Sequence, residues 1–204
     1  MPMSRMNWRG AREQGFTLLE TMMVVGITGV VTAIAVVQFQ VTRNMVKGDS
    51  AMRQVLAQMN AARQMAMQQR RYIDITFDTT HNTIILVRED TTTTSTTLST
   101  AMFENNAKIQ LTTGLPDTPD AFGNGAATSF YNPTNGTFQS LNGSTTVAKF
   151  APDGTLVDWN GFTTNGTIFT AIPNLGPSSR AVTILGSTGR IRGYRWDGKH
   201  WVTV

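Results

Sequence analysis

Gln14-Gly15-Phe16-Thr17-Leu18-Leu19-Glu20 opens the stretch that decides the fold. From Phe16 the chain runs FTLLETMMVVGITGVVTAIAVVQF to Phe39, 24 residues in which Glu20 is the one formal charge. About 20 apolar residues in a helix cross the hydrocarbon core of a bilayer, so residues 16–39 read as a membrane-spanning helix. Residues 1–15 carry Arg5, Arg9 and Arg12 against Glu13, whereas the far side begins more sparsely with Arg43, Lys47 and Asp49. The positive-inside bias therefore places the N-terminus in the cytoplasm and the rest of the chain across the membrane. An ordinary secretory signal is the alternative, with the small residues Ala33 and Ala35 positioned for cleavage.

A carboxylate inside such a helix is expensive, roughly 2.5 to 3.5 kcal/mol for an acid at the helix centre on insertion scales. Glu20 therefore requires a partner, or else lies near enough to the membrane surface to reach the headgroups. Gly26 and Gly29 interrupt the apolar run. In a soluble helix each costs roughly 1 kcal/mol relative to alanine, so they mark points of local melting or of close helix packing.

Composition narrows the function classes. The 204 residues are 40% hydrophobic and 15% charged, with a net charge of +4. About 25% charged residues is usual for a soluble domain, and the apolar segment accounts for the shortfall. There is no cysteine, and His81 and His200 are the only histidines. A disulfide framework, a thiolate metal site and a cysteine nucleophile are excluded, and little is left for imidazole chemistry. No P-loop or nucleophile elbow is present, and Asp117, Asp120, Asp153 and Asp158 lack the spacing of an EF-hand loop. The sequence thus offers no catalytic, metal or cofactor site.

Beyond Phe39 the pattern turns amphipathic. Val41, Met45, Met52, Val55, Leu56, Met59, Ala62 and Ala66 recur mostly at three- or four-residue steps, so residues 40–71 continue the helix with one apolar face. Its methionines read as core contacts with a sheet. Six bases against Asp49 between Arg43 and Arg71 read first as a solvated face. After Arg71 the code changes to short β-branched runs at residues 72–77, 83–87, 147–150, 181–185, 190–196 and 200–204. Residues 78–82 connect the first two as a hairpin, and glycine turns such as Asn142-Gly143, Asp153-Gly154 and Asp197-Gly198 punctuate the rest. The threonine-rich tract 91–100 and the Pro- and Gly-containing stretch 115–133 are expected to be exposed loops. The fold class is α+β: a long N-terminal helix, membrane-spanning in its first half, packed on a C-terminal antiparallel sheet.

GFTLLE at Gly15–Glu20 resembles the prepilin leader motif of type IV pilins and type II secretion pseudopilins. The resemblance implies a leader of residues 1–15, cleavage between Gly15 and Phe16 by a prepilin peptidase, and N-methylation of Phe16. It also implies pairing of Glu20 with the new amine of a neighbour's Phe16, which sets the axial register of a filament. Three further pieces resemble the GspH/FimT-type pseudopilin domain: Ala62-Arg63-Gln64-Met65-Ala66 ending the helix, Phe150-Ala151-Pro152-Asp153-Gly154, and Gly189-Arg190-Ile191-Arg192. The domain so implied is 72–204 and periplasmic, on a single-pass inner-membrane subunit. Its partners would be other pilins or pseudopilins and an inner-membrane assembly platform, with no enzymatic activity and no cofactor. Residues 90–146 match nothing in the family pattern. Major pilins commonly carry a proline in the membrane helix and this chain has none, which leans toward a minor subunit. An uncleaved single-pass protein with a periplasmic β-domain is the alternative from another class.

The C-terminal strand suggests a second role. Residues 180–204 carry Arg180, Arg190, Arg192, Arg195 and Lys199 against Asp197, a net +4, whereas 74–158 carries nine acids and three bases. Arg190 and Arg192 are two apart and share one face of a strand, and Arg195 and Lys199 are expected to extend the patch around the turn. Tyr194, Trp196 and Trp201 are interleaved. Basic side chains neutralise phosphates and aromatics stack on bases, a composition that suits DNA. FimT-like minor pilins are associated with DNA capture in natural transformation, a role the resemblance carries to Arg190 and Arg192. Outward arginines that protect an edge strand while the tryptophans pack inward are the alternative.

Overall fold

The computed structural model describes residues 16–104, 106–132, 136–139 and 148–204. Gly15 with the segment before it, the side chain of Val41, the Asn142-Gly143 turn and Val147 lie outside the described residues. The chain divides into two compact units, Met1–Val41 and Thr42–Val204. One helix, α1 (Leu18–Gln69), contributes to both.

In the first unit α1 is unbroken through Gly26 and Gly29, so the expected melting is not found, and among the described residues nothing beyond the adjoining helix backbone lies within 4 Å of where a Cβ would stand at either glycine. Thr28 and Thr32 donate their hydroxyls back to the carbonyls of Val24 and Thr28 at 2.7 Å. That satisfies both side chains where hydrocarbon offers no partner. Leu18–Val36 is long and apolar enough to cross a membrane, and none of it is buried within the chain.

In the second unit the same helix turns its 3.6-residue stripe inward: Met52, Val55, Met59, Ala62 and Ala66 are completely buried. The helix ends where Arg70 takes a left-handed conformation (φ 51°) and the Arg71 N–H returns to the Ala66 carbonyl at 3.2 Å, the closing bond of a Schellman motif. Small residues let the helix approach its neighbours. A Cβ on Gly48 would lie 2.5 Å from the Ser178 carbonyl oxygen, and one on Gly193 3.1 Å from the Met52 sulfur.

The expected antiparallel pairing is present, but the strands form two sheets. The first is five-stranded, with order β3 (Ser95–Met102), β2 (Thr83–Glu89), β1 (Ile73–Asp78), β7 (Ala148–Phe150) and β8 (Leu156–Asp158). The second is seven-stranded. Its path runs β12 (Trp201–Thr203), β11 (Arg190–Trp196), β10 (Arg180–Leu185), β9 (Gly166–Ala171), β5 (Thr128–Asn132) and β6 (Thr137–Gln139), with β4 (Lys108–Ile109) also pairing with β9. One core joins them: Ile73, Ile75, Phe77, Ile84 and Leu86 from the first sheet and Ile168, Val182 and Ile184 from the second meet the helix stripe. A smaller cluster of Phe169, Ala181, Tyr194 and Trp201 lies apart from it.

Two loop expectations are corrected. Most of the threonine tract forms β3, which pairs with β2 through an irregularity at Leu86/Val87. Threonine is β-branched, so a pleated edge suits it as well as a loop does. Residues 115–133 are not all exposed either. Thr118 is buried, Asp117 closes its own loop by accepting the N–H groups of Thr118 and Gly123 at 2.7 and 2.8 Å, and Thr128–Phe130 is a buried strand paired with β9.

Candidate assembly and anion-binding sites

Thr17 precedes the first helical turn, and its hydroxyl accepts the Glu20 N–H at 3.2 Å. The Thr-Leu-Leu-Glu sequence is thus a capping-box pattern with Glu20 at the third helical position. Helix N-termini carry partial positive charge, which favours a carboxylate there. Phe16, Leu18 and Leu19 are exposed beside it. Among the described residues no base forms an ion pair with Glu20.

Three scattered sequence motifs converge on one guanidinium. Arg63, near the end of α1, donates from Nε to the Gly154 carbonyl at 3.2 Å and from Nη2 to the Thr188 carbonyl at 2.9 Å. Gly154 (φ 83°) closes the turn between β7 and β8, where Asp153 accepts the Thr155 N–H and hydroxyl. Gly189 (φ 62°) closes the turn into β11, and a Cβ there would stand 2.0 Å from the Gly154 oxygen. Helix end, first sheet and second sheet are locked at this point.

The arginines of the C-terminal region do not form the single patch expected from their count. Arg180 is fully buried. Its Nε bonds Asp49 at 2.6 Å, and its other nitrogens reach the carbonyls of Pro177, Ser179 and Met45. It is a structural tie between helix and sheet. Arg195 falls on the face of β11 opposite to Arg190 and Arg192, the face on which Gly193 meets Met52. Lys199 lies in the turn before β12, its N–H accepted by Asp197 at 2.7 Å.

Arg190 and Arg192 do share a face, with side chains 45% and 43% exposed. Between them stands Asp120, which was not expected to take part. Its Oδ1 is 3.7 Å from Arg190 Nη2 and 3.5 Å from Arg192 Nη1, while its Oδ2 accepts the Thr183 hydroxyl at 2.6 Å and the Tyr194 hydroxyl at 2.8 Å. Burial and the bond to Asp120 raise the Tyr194 phenol above its ordinary pKa, so it stays a donor. The aromatic part of the expected patch is corrected: Tyr194 and Trp201 are buried, Trp201 donating to the Pro116 carbonyl at 2.8 Å and packing on Phe169 and Trp196. They cannot stack on bases in this state. The edge-protection alternative stays open: β10 pairs along β11, but β12 covers only its Tyr194–Trp196 end, so among the described residues Arg190 and Arg192 have a strand partner on one side alone, while Trp201 packs inward.

A third charged group joins three strands of the first sheet. Lys149 reaches Glu89 at 2.6 Å and Asp74 at 3.8 Å. Burial, aided by the Glu89 charge and opposed by Lys149, raises the Asp74 pKa to about 6. Asp153 and Asp158 each cap their own turn, and among the described residues no three His, Asp or Glu side chains gather where a metal ion would sit.

Residues 10–36 match the family model of the prokaryotic N-terminal methylation motif. Among solved structures, the minor pseudopilin EpsH from the type 2 secretion system of Vibrio cholerae is similar at 8% identity and a TM-score of 0.49, over 75% of this chain and 98% of that one. No curated protein matches the chain.

Proposed function

We propose that this chain is a minor pilin or pseudopilin, a structural subunit of a type IV pilus or a type II secretion pseudopilus. The observation that carries the reading is the methylation motif over residues 10–36, which spans the Gly15–Phe16 junction and the first turn holding Glu20. Cleavage after Gly15 by a prepilin peptidase frees an amine on Phe16, which is then methylated. The subunit waits in the inner membrane through residues 16–39 with its β-rich unit in the periplasm. The assembly platform transfers the helix from lipid into a bundle of helices, where apolar contacts are kept and Glu20 pairs with the Phe16 amine of a neighbour. An ion pair relieves the desolvation that the lone carboxylate suffers in lipid, so assembly in register is favoured over insertion alone.

The test is Glu20→Ala in the native host. The variant is expected to accumulate in the membrane, to be cleaved normally, and to be missing from sheared filaments or, in a secretion machine, to abolish cargo export. Normal assembly or export by that variant contradicts the proposal. An intact mass that retains residues 1–15 in a host with active peptidase supports instead an uncleaved single-pass protein.

A second reading, DNA reception by the assembled subunit, is favoured by one observation: Arg190 and Arg192 stand half-exposed side by side on one face of β11. Arg195 and Lys199 contribute less directly, from the opposite face and from the turn.

A further inference from the structure

The environment of Asp120 is that of a bound oxyanion. Two hydroxyls and two guanidiniums, from Thr183, Tyr194, Arg190 and Arg192, converge on one carboxylate whose side chain is 11% exposed. The four contacts are unequal. Thr183 and Tyr194 hold Oδ2 with short bonds at 2.6 and 2.8 Å, whereas the arginines approach Oδ1 at 3.7 and 3.5 Å from half-exposed positions. Exposed ion pairs of that length contribute little, and long arginine side chains exchange partners readily. The acid is therefore fixed and the arginines are exchangeable.

The surroundings continue the pattern. Register places Ser129 opposite Thr167, Thr167 opposite Thr183, and Thr183 opposite Arg192, a polar row across four strands on the Arg192 face. Among the described residues, the buried hydroxyls of Ser129 and Thr167 have no hydrogen-bond partner. This row offers donors, and Asp120 supplies the one full negative charge among the side chains just named.

We infer that Arg190 and Arg192 form a phosphodiester-binding site in which Asp120, held in place by the Thr183 and Tyr194 hydroxyls, is a built-in competitor. The inference rests on the DNA reading above and deepens it. Asp120 neutralises one of the two guanidinium charges and holds both on one face. A phosphate of a DNA strand takes the arginines from Oδ1 while Oδ2 keeps its hydroxyl partners, so the loop carrying Asp120 need not leave the sheet.

The experiment is fluorescence anisotropy of labelled oligothymidylate with the detergent-solubilised full chain at low and near-physiological salt. It compares wild type, Asp120→Asn, Asp120→Ala and the Arg190→Ala/Arg192→Ala double variant, with folding checked by near-ultraviolet circular dichroism. Asparagine keeps an acceptor for Thr183 and Tyr194 and removes the charge. It is expected to tighten binding roughly tenfold and to steepen the salt dependence by about 0.7 in log–log slope, the effect of one further neutralised phosphate on a single strand. Alanine is expected to act in the same direction.

Unchanged or weaker binding by the folded Asp120 variants, with binding abolished in the arginine variant, overturns the competitor and leaves the DNA reading intact. No binding by wild type or by either Asp120 variant overturns both. Displacement of DNA by polyglutamate as effectively as by unlabelled DNA overturns the phosphodiester assignment in favour of an acidic protein partner. Loss of the fold in both Asp120 variants assigns the residue to stability alone and also overturns the proposal.

Discussion

Replacing Arg63 with alanine removes a side chain that binds the helix end to a turn of each sheet. Two charge-assisted hydrogen bonds are lost, to the Gly154 carbonyl at 3.2 Å and to the Thr188 carbonyl at 2.9 Å. Bonds to charged groups contribute about 1.5 to 3 kcal/mol each in favourable geometry. One of these is long and the other exposed, so the low end applies and the loss is about 2 to 3 kcal/mol. For a domain of roughly 150 to 250 residues each kcal/mol moves the melting temperature by about 2 to 4 °C, so Arg63→Ala should melt about 4 to 12 °C below wild type. Arg63→Lys keeps a cation but lacks the fork that reaches two carbonyls, and should recover no more than about half of the loss. Thermal unfolding followed in the near ultraviolet reads the packing of the tryptophans and reports on the sheet unit directly. A melting temperature for Arg63→Ala within about 2 °C of wild type, or full rescue by lysine, would refute the claim that the guanidinium fork is the tie.

Gly189→Ala tests the same junction from the other side. A Cβ there stands 2.0 Å from the Gly154 oxygen at φ 62°, so strain and overpacking together should destabilise by about 3 kcal/mol, and wild-type stability in a melt contradicts the geometry. Asp74 predicts a pH dependence. Its folded pKa, about 6, lies above the ordinary 3.8, so the native state holds the proton more tightly and stability falls as pH rises through that interval. The full penalty, about 2 kcal/mol after solvent screening, is present above about pH 6 and absent below about pH 4. Asp74→Asn should therefore be more stable than wild type at pH 7 and equal to it near pH 4. A difference that does not vary with pH, measured by paired melts, removes Asp74 as the titrating group.

How much of this was legible in the sequence follows from how local each signal is. The membrane segment is local in every respect: glycine, phenylalanine, acid and apolar run stand in fixed register within one stretch of chain, and α1 begins where that register places it. Strands β1, β2, β10 and β11 were legible because β-branched runs between turn residues need no distant partner to be recognised. β9 was not recognised, although all six of its residues are buried. A strand buried on both faces has no alternation to reveal it, and only the flanking Asn165-Gly166 and Pro173 hinted at its ends. Asp120 was illegible for another reason. It lies in a stretch that reads as a proline-bearing loop, and its partners are 63 to 74 positions further along the chain. The motif fragments around Arg63, Gly154 and Gly189 looked weak separately because what unites them is a contact, which sequence order does not display.

Charge counting shows the same gap between sequence and structure, and it bears on the DNA reading. The net +4 of residues 180–204 suggests a strongly basic face. In the fold Arg180 is spent internally on Asp49, Arg195 faces the opposite way, and Arg190 and Arg192 share Asp120. Two guanidiniums and one carboxylate leave a single net positive charge on the face that counts. That suffices to neutralise about one phosphate, and nonspecific affinity at physiological salt needs several. On the DNA reading, a lone subunit is therefore expected to bind measurably at low salt and only weakly at physiological salt. Strong binding requires the site to be repeated along one strand, where each further phosphate is captured at the high effective concentration set by the last. The proposed assembly through Glu20 and the proposed DNA reception through β11 are then not rival readings, since the second would depend on the first for its strength.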